Sequence, residues 1–202
     1  MTTLTHPKSF QELLDYDDGT DNSYELTEGK LKIVAPESEI NAYIASCLRD
    51  VLVPFFNRRR VVIQKMYVEV HDFPGMPLNR EPDLVVLHPN HPRLMAEAGK
   101  MAISADMPPP QLIVEVVSPY PNPLHENFIR DYLQKPQQYA QRGIPEFWII
   151  DPQRKLIEVQ STPDTKRCAY MSQATFEGSD LVRSQLPELS DLQITVQEVL
   201  EP

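Results

Sequence analysis

The segment Leu112-Ile113-Val114-Glu115-Val116-Val117 is aliphatic at every position except one. Such a run is too short for a helix and lacks the polar alternation of a half-exposed strand, so it reads as a strand covered on both faces. Phe147–Ile150 reads the same way, and Asp83–Leu87 is a further apolar strand. Strands buried on both sides need helices on both sides. The chain is therefore predicted to be an α/β or α+β protein with a mixed central sheet flanked by helices. Its 202 residues suffice for one such domain or two small ones. Pro108-Pro109-Pro110 is the nearest approach to a linker, but apolar strand patterns lie on both sides of it, so it reads as a loop inside a single domain spanning 1–202. No internal repeat interrupts that reading.

The remaining elements follow from periodicity and punctuation. Phe10–Tyr16 is predicted as a short helix, and Tyr24–Leu26 and Lys30–Val34 as a hairpin about Glu28-Gly29. Glu39 to about Asn57 is predicted as an amphipathic helix after a Ser38 cap, with Ile40, Tyr43, Ile44, Cys47, Leu48, Val51 and Leu52 on its apolar face. Val61–Val70 reads as a strand. Asn127–Arg142 reads as a helix ending at Gly143, and Leu156–Val159 and Lys166–Met171 as antiparallel strands.

Charge and cysteine content narrow the function. Nineteen Lys and Arg against 29 Asp and Glu give a formal charge of −10. A protein that holds nucleic acid by displacing many counterions should be basic, so the balance argues against that mode of binding. Cys47 and Cys168 are too few for a disulfide framework or a cysteine zinc site, which fits a reducing cytoplasm. The N-terminal residues lack the apolar run of a signal peptide, and no stretch approaches the roughly 18 apolar residues of a membrane span, so a soluble cytoplasmic protein is expected.

The polar residues inside the apolar strands carry the chemistry. A charge at Glu115 is costly to bury unless something offsets it. The ordinary offset is an Arg or Lys from a helix; the functional one is a metal ion. Asp83, in Glu81-Pro82-Asp83, stands at the mouth of a second apolar strand, where Pro-Asp is also turn chemistry. Two carboxylates converging from adjacent strands form a hard oxygen site of the kind that holds Mg²⁺ with several waters retained. Asp131 and Lys135 are spaced i, i+4 on one helix face, which by itself describes a surface ion pair. Arg58-Arg59-Arg60 is the one dense basic run, read either as a solvated helix terminus or as a phosphate contact. His88 and His91 lack a third zinc ligand and read as loop residues, His71-Asp72 as a turn, and Trp148 as core. No Walker loop, nucleophile elbow or dinucleotide fingerprint is present in the sequence.

Taken in order, Tyr24-Glu25-Leu26 with Gly29, Glu81-Pro82-Asp83-Leu84-Val85-Val86, Ile113 to Pro119, Asp131 with Lys135 and Tyr139, and Gly143 to Pro152 resemble the Uma2 family over residues 10 to 195. The family is restriction-endonuclease-like and abundant in cyanobacteria. The resemblance implies the PD-(D/E)XK nuclease fold, with Asp83 and Glu115 as metal-binding carboxylates, the Val116 carbonyl as a further ligand and Glu25 as an outer acid. Gln64 is a candidate for the surrounding shell, with Asp131 and Tyr139 beside it. The general nuclease motif places a lysine two residues after the strand carboxylate, where i and i+2 share a face. Here that residue is Val117. Uma2-like sequences move the lysine to the following helix, and Lys135 matches that position. Pro136 follows it and is expected to kink or restart the helix. Should that turn Lys135 away, Lys65 or Arg130 becomes the substitute, or the domain is inactive.

The resemblance thus implies a Mg²⁺-dependent endonuclease, with Mn²⁺ as an alternative ion, that hydrolyses DNA phosphodiesters with a metal-activated water. The competing expectation is a catalytically inactive nuclease-fold module that binds nucleic acid or protein, and RNA is an alternative substrate. Cutting both strands commonly takes two sites, which leaves room for a homodimer although no motif specifies one. Such an enzyme relieves the charge objection, because a divalent ion and a few local cations can meet the phosphate at a carboxylate-rich centre.

Overall fold

In the computed structural model, which describes residues 7–63 and 65–201, a sheet of six strands organises the chain. Short helix α1 (Phe10–Leu14) precedes a hairpin of β1 (Tyr24–Thr27) and β2 (Lys30–Ile33). Its two-residue turn puts Glu28 and Gly29 at φ 49° and 74°, the left-handed pair that such tight hairpins require. Helix α2 (Glu39–Phe56) starts at Ser38, whose side chain accepts from the Asn41 amide. Strands β3 (Val61–Val62), β4 (Tyr67–Glu69), β5 (Asn79–Arg80) and β6 (Leu84–Val86) follow, then α3 (His91–Ala98), β7 (Ala102–Ile103) and β8 (Leu112–Val116). Helix α4 (Glu126–Ile129), a π turn (Arg130–Gln134) and α5 (Lys135–Arg142) lead into β9 (Glu146–Asp151), β10 (Leu156–Asp164) and β11 (Ala169–Glu177). A 3₁₀ turn (Pro187–Leu189) and α6 (Val196–Leu200) complete it.

The large sheet has the order β11-β10-β9-β8-β6-β3; β8 and β9 run parallel and the other neighbours antiparallel. As the unbroken aliphatic runs predict, β6, β8 and β9 are buried throughout. The two-residue period of β8 divides the core. Leu112, Val114 and Val116 pack with α2 and the C-terminal segment, while Ile113 and Val117 pack with Tyr139 and Ile144 on the opposite face. Glu115 shares that second face. Trp148 is fully buried in the core, as expected.

The strand expected at Lys166–Met171 starts only at Ala169, because 165–168 form the turn between β10 and β11, and four further expectations change in detail. Val61–Val70 is not one strand: β3 belongs to the large sheet, whereas β4 joins β5 and β7 in a separate three-stranded sheet. The buried stripe of α2 is rotated from the predicted one, so Ile40 and Tyr43 are about half exposed while Asn41, at 2%, is buried. A continuous helix over Asn127–Arg142 is replaced by α4, the π turn and α5. Pro136 supplies the reason: it lacks an N–H, and in a regular α-helix its ring would strike the carbonyl four residues back. The Lys135 amide instead reaches the Arg130 carbonyl, five residues back, and the widened turn accommodates the proline. Finally, His91 is no loop residue. It opens α3, is fully buried, and its ring nitrogens contact the Pro108 carbonyl at 2.7 Å and the His88 amide at 3.2 Å.

Candidate active site

Strand register brings the two predicted carboxylates together. Leu84 pairs with Val114 in the antiparallel β6–β8 ladder, so the next pair outward is Asp83 opposite Glu115. Asp83 lies just before β6, and its Oδ2 accepts from the Val116 amide at 2.6 Å, which ties the ends of the two strands. The Val116 carbonyl accepts from the Asn41 side-chain amide at 3.1 Å, fixing its direction from the α2 side.

Glu115 is 2% exposed and is met by two donors from α5. Lys135 Nζ donates to Oε2 at 2.8 Å and the Tyr139 hydroxyl to Oε1 at 2.6 Å. Lys135 also lies 2.8 Å from Asp131 Oδ1, and Arg130 grips both oxygens of Asp131 at 2.9 Å. The π turn therefore keeps Lys135 directed at the strand carboxylate. The i, i+4 pair that reads as surface chemistry is buried, with Asp131 at 1% and Lys135 at 9% exposure.

The charges are mutually dependent. Burial opposes the Lys135 ammonium, yet Asp131 and Glu115 outweigh it and hold the group above the usual lysine range. Burial also pushes the Glu115 carboxyl up, and Lys135 only partly offsets that. Asp83 is driven well above the ordinary carboxylate range by burial, by the Glu115 charge and by a hydrogen bond to Glu37. Asp131 is lowered: Lys135 and Arg130 overcome the burial that would raise it.

A cavity of about 350 Å³ opens beside Asp83, walled in part by Glu37, Ile63, Lys65, Glu81 and Pro82. Glu81 Oε2 is buried there without a hydrogen-bond partner. Among the described residues no three His, Cys, Asp or Glu side chains converge on one metal position. The donors present are two carboxylates and a backbone carbonyl, a set suited to Mg²⁺, which keeps several of its waters. Acids raised by burial and then by their own negative neighbours, together with an orphaned carboxylate oxygen, are the chemistry that a cation relieves. The residues fit the ion.

The other sequence-based candidates separate by position. Glu25 lies one step removed and pairs with Arg80 at 2.8 Å. Lys65 stands on the cavity wall and donates to the Asp21 carbonyl at 2.6 Å. Arg58, Arg59 and Arg60 are not brought to the site. Val61 pairs with Val86 and the Leu87 amide donates to the Arg60 carbonyl, so the run lies at the other end of β6, four residues or about 13 Å from Asp83. Arg60 is engaged there by the Leu87 carbonyl, Gln111 and the Phe56 ring. Gln64 lies outside the described residues. Asn41, Glu37 and Arg80 were missed. A polar residue at core spacing on α2 was the available signal for Asn41, whereas Glu37 and Arg80 had none.

A family model described as "Putative restriction endonuclease" matches residues 10–197, nearly the whole chain. The chain belongs to the Uma2 family. Among solved structures, one described as a putative nuclease belonging to DUF820 from Anabaena variabilis ATCC 29413 matches with a TM-score of 0.67 and 17% identity, covering 96% of this chain and 98% of that one. At that identity the likeness speaks for the fold alone, a mixed sheet flanked by helices shared with that structure; the restriction-endonuclease-like description comes from the family model. No curated protein matches the chain. Val117, two residues after Glu115, is packed in the core, and the cation that meets Glu115 is Lys135 of α5. No helix among the described residues is long and apolar enough to cross a membrane.

Proposed function

We propose that this Uma2 protein is a Mg²⁺-dependent endonuclease that hydrolyses phosphodiester bonds in DNA. The observation that carries the reading is the placement of Lys135 Nζ 2.8 Å from Glu115, directly across the ladder from Asp83. Asp83, Glu115 and the Val116 carbonyl would hold Mg²⁺, or Mn²⁺, which takes the same hard oxygen donors. When bound, the ion neutralises charge on a phosphoryl oxygen and lowers the pKa of a water. The protein does the rest. Val116 and Asn41 fix the directions of the Asp83 carboxylate and the strand carbonyl. Tyr139 holds one Glu115 oxygen, leaving the other beside the Lys135 ammonium, a fixed positive charge for a water and for the negative charge that develops in the transition state. Asp131 and Arg130 keep that ammonium in place.

DNA enters as a local encounter. The formal charge of −10 predicts weak non-specific affinity at physiological salt, so binding should depend on the divalent ion. The test is a cleavage panel of duplex, single-stranded and structured DNA with matched RNA, run with Mg²⁺ or Mn²⁺ over a range of protein concentrations. Metal-dependent DNA cuts that disappear in Asp83→Ala are expected; duplex cleavage with a second-order dependence on protein would indicate a homodimer. No cleavage of any substrate, or full activity in Asp83→Ala, contradicts the proposal. One observation favours the competing reading of an inactive binding module: both Glu115 oxygens already accept a hydrogen bond. Calorimetry separates the two, since an inactive module should show no divalent-ion binding that depends on Glu115.

A further inference from the structure

Arg80 is among the largest fully buried side chains, 1% exposed, and has no part in the chemistry above. Burying a guanidinium is costly unless its donors are met, and here three are. Nη1 donates to Glu25 Oε1 at 2.8 Å, Nε to Gln138 Oε1 at 2.8 Å, and Nη2 to Gln134 Oε1 at 3.4 Å. Gln138 is itself fixed by donating to the carbonyls of His71 and Pro77 at 2.8 and 2.7 Å.

The two glutamines are placed with meaning. Gln134 is the last residue of the π turn and Gln138 lies in the next turn, in α5. Between them are Lys135, which reaches Glu115, and Pro136, which cannot donate a backbone hydrogen bond. The helix thus lacks part of its own ladder at the point where the site needs it rigid. One planar fork, anchored by Glu25 on β1 and held on β5 three residues before Asp83, bridges the discontinuity from outside. A lysine cannot do this: its single nitrogen lacks the fork that meets three acceptors on three elements at once.

We propose that Arg80 is a positioning residue, a splint across the Pro136 discontinuity that keeps Lys135 and Tyr139 on Glu115. The inference rests on the reading of Glu115 and Lys135 as the reacting end of the site. It makes Glu25 an anchor of the splint instead of an outer acid of the site.

The test compares the full-length wild type, Arg80→Lys and Gln134→Ala by melting temperature, by the Lys135 ammonium proton resonance (assigned by its loss in Lys135→Arg), by amide exchange and by Mn²⁺ affinity. In wild type the Lys135 resonance should persist at neutral pH. In Arg80→Lys it should be lost, with amides of Lys135 and Tyr139 exchanging roughly ten-fold faster while those of β9 hold, and with Mn²⁺ binding weakened roughly ten-fold. Gln134→Ala removes only one arm of the grip from a half-buried residue and should move the same readouts less. A folded Arg80→Lys protein with an unchanged resonance and Mn²⁺ affinity overturns the inference, as does faster exchange spread equally over β9. If Arg80→Lys does not fold, Gln134→Ala decides, and no change in its exchange or resonance has the same consequence. No readout uses cleavage, so a chain that cuts nothing yet loses its Lys135 resonance in Arg80→Lys keeps the splint and loses the nuclease reading.

Discussion

Two glutamates are buried in neighbouring parallel strands of the same sheet, and they are opposites. Glu115 lies near the end of β8, and Glu146 opens β9 at the other edge of the ladder, opposite Leu112. Both are almost inaccessible, and burial raises both carboxyls. Glu146 is surrounded by neutral donors: the Trp148 indole at 2.6 Å, the Ser184 hydroxyl at 2.7 Å and the Gln185 amide at 2.7 Å. It clasps the C-terminal segment to the sheet. Glu115 is met by an ammonium and a hydroxyl, faces Asp83 across the ladder, and belongs to a group in which acids outnumber cations. Burial of a carboxylate therefore does not mark a site. The charges around it do, because neutral donors satisfy a single acid while a cluster of acids sharing one lysine still favours a cation.

The sharpest way to break this comparison is at the ladder. Asp83→Ala should bring metal-dependent cleavage to background while leaving the fold intact, as read by circular dichroism and single-turnover assays. Lys135→Met should lower the rate by about 10²–10³-fold, the usual cost of removing one preorganised charge from the reacting centre. Glu146→Ala should do the reverse. It leaves one buried donor, the Trp148 indole, and two half-buried ones unpaired and should cost about 2 kcal/mol of stability in urea titration, yet Mn²⁺ affinity in the folded fraction should stay within about two-fold. If Glu146→Ala weakened Mn²⁺ binding as much as Glu115→Gln does, the distinction between clasp and site would fail.

The smallest effect is in pH. Asp83 and Glu115 keep their protons to higher pH in the fold than in the unfolded chain. Their contribution to the metal-free fold is therefore present below the ordinary carboxylate range and is lost as pH rises through their raised values. Asp131, being lowered, contributes above that range and loses its share as pH falls. A divalent ion held as proposed would replace the protons on the raised pair. The melting-temperature gap between Mg²⁺ and chelator should thus widen by a few degrees from pH 5 to pH 8; a gap that narrows would mean that the ion binds elsewhere.

The sheet was legible because unbroken aliphatic runs admit few alternatives, and the Ser38 cap and the Gly143 terminus are local chemistry. The site was legible only in pieces. Asp83 and Glu115 stand out as charges at apolar strands, but Lys135 is indistinguishable by spacing from a surface ion pair, and only the family resemblance singled it out. The π turn was half visible: Pro136 announces a break without saying whether the helix kinks or widens. Asn41 was hidden because Ile40 and Tyr43 are the more apolar residues, and the helix rotates to bury an amide that a strand carbonyl requires. Arg80 could not be read at all, since its partners come from β1, the π turn and α5, and no local pattern links them.

The central claim is that Asp83 and Glu115 together hold a divalent cation beside Lys135. Anomalous diffraction at the manganese edge from crystals grown with Mn²⁺ tests it directly. The account predicts one strong peak bonded to both carboxylates and to the Val116 carbonyl, with Lys135 adjacent. A peak elsewhere, or none at saturating Mn²⁺, would contradict it.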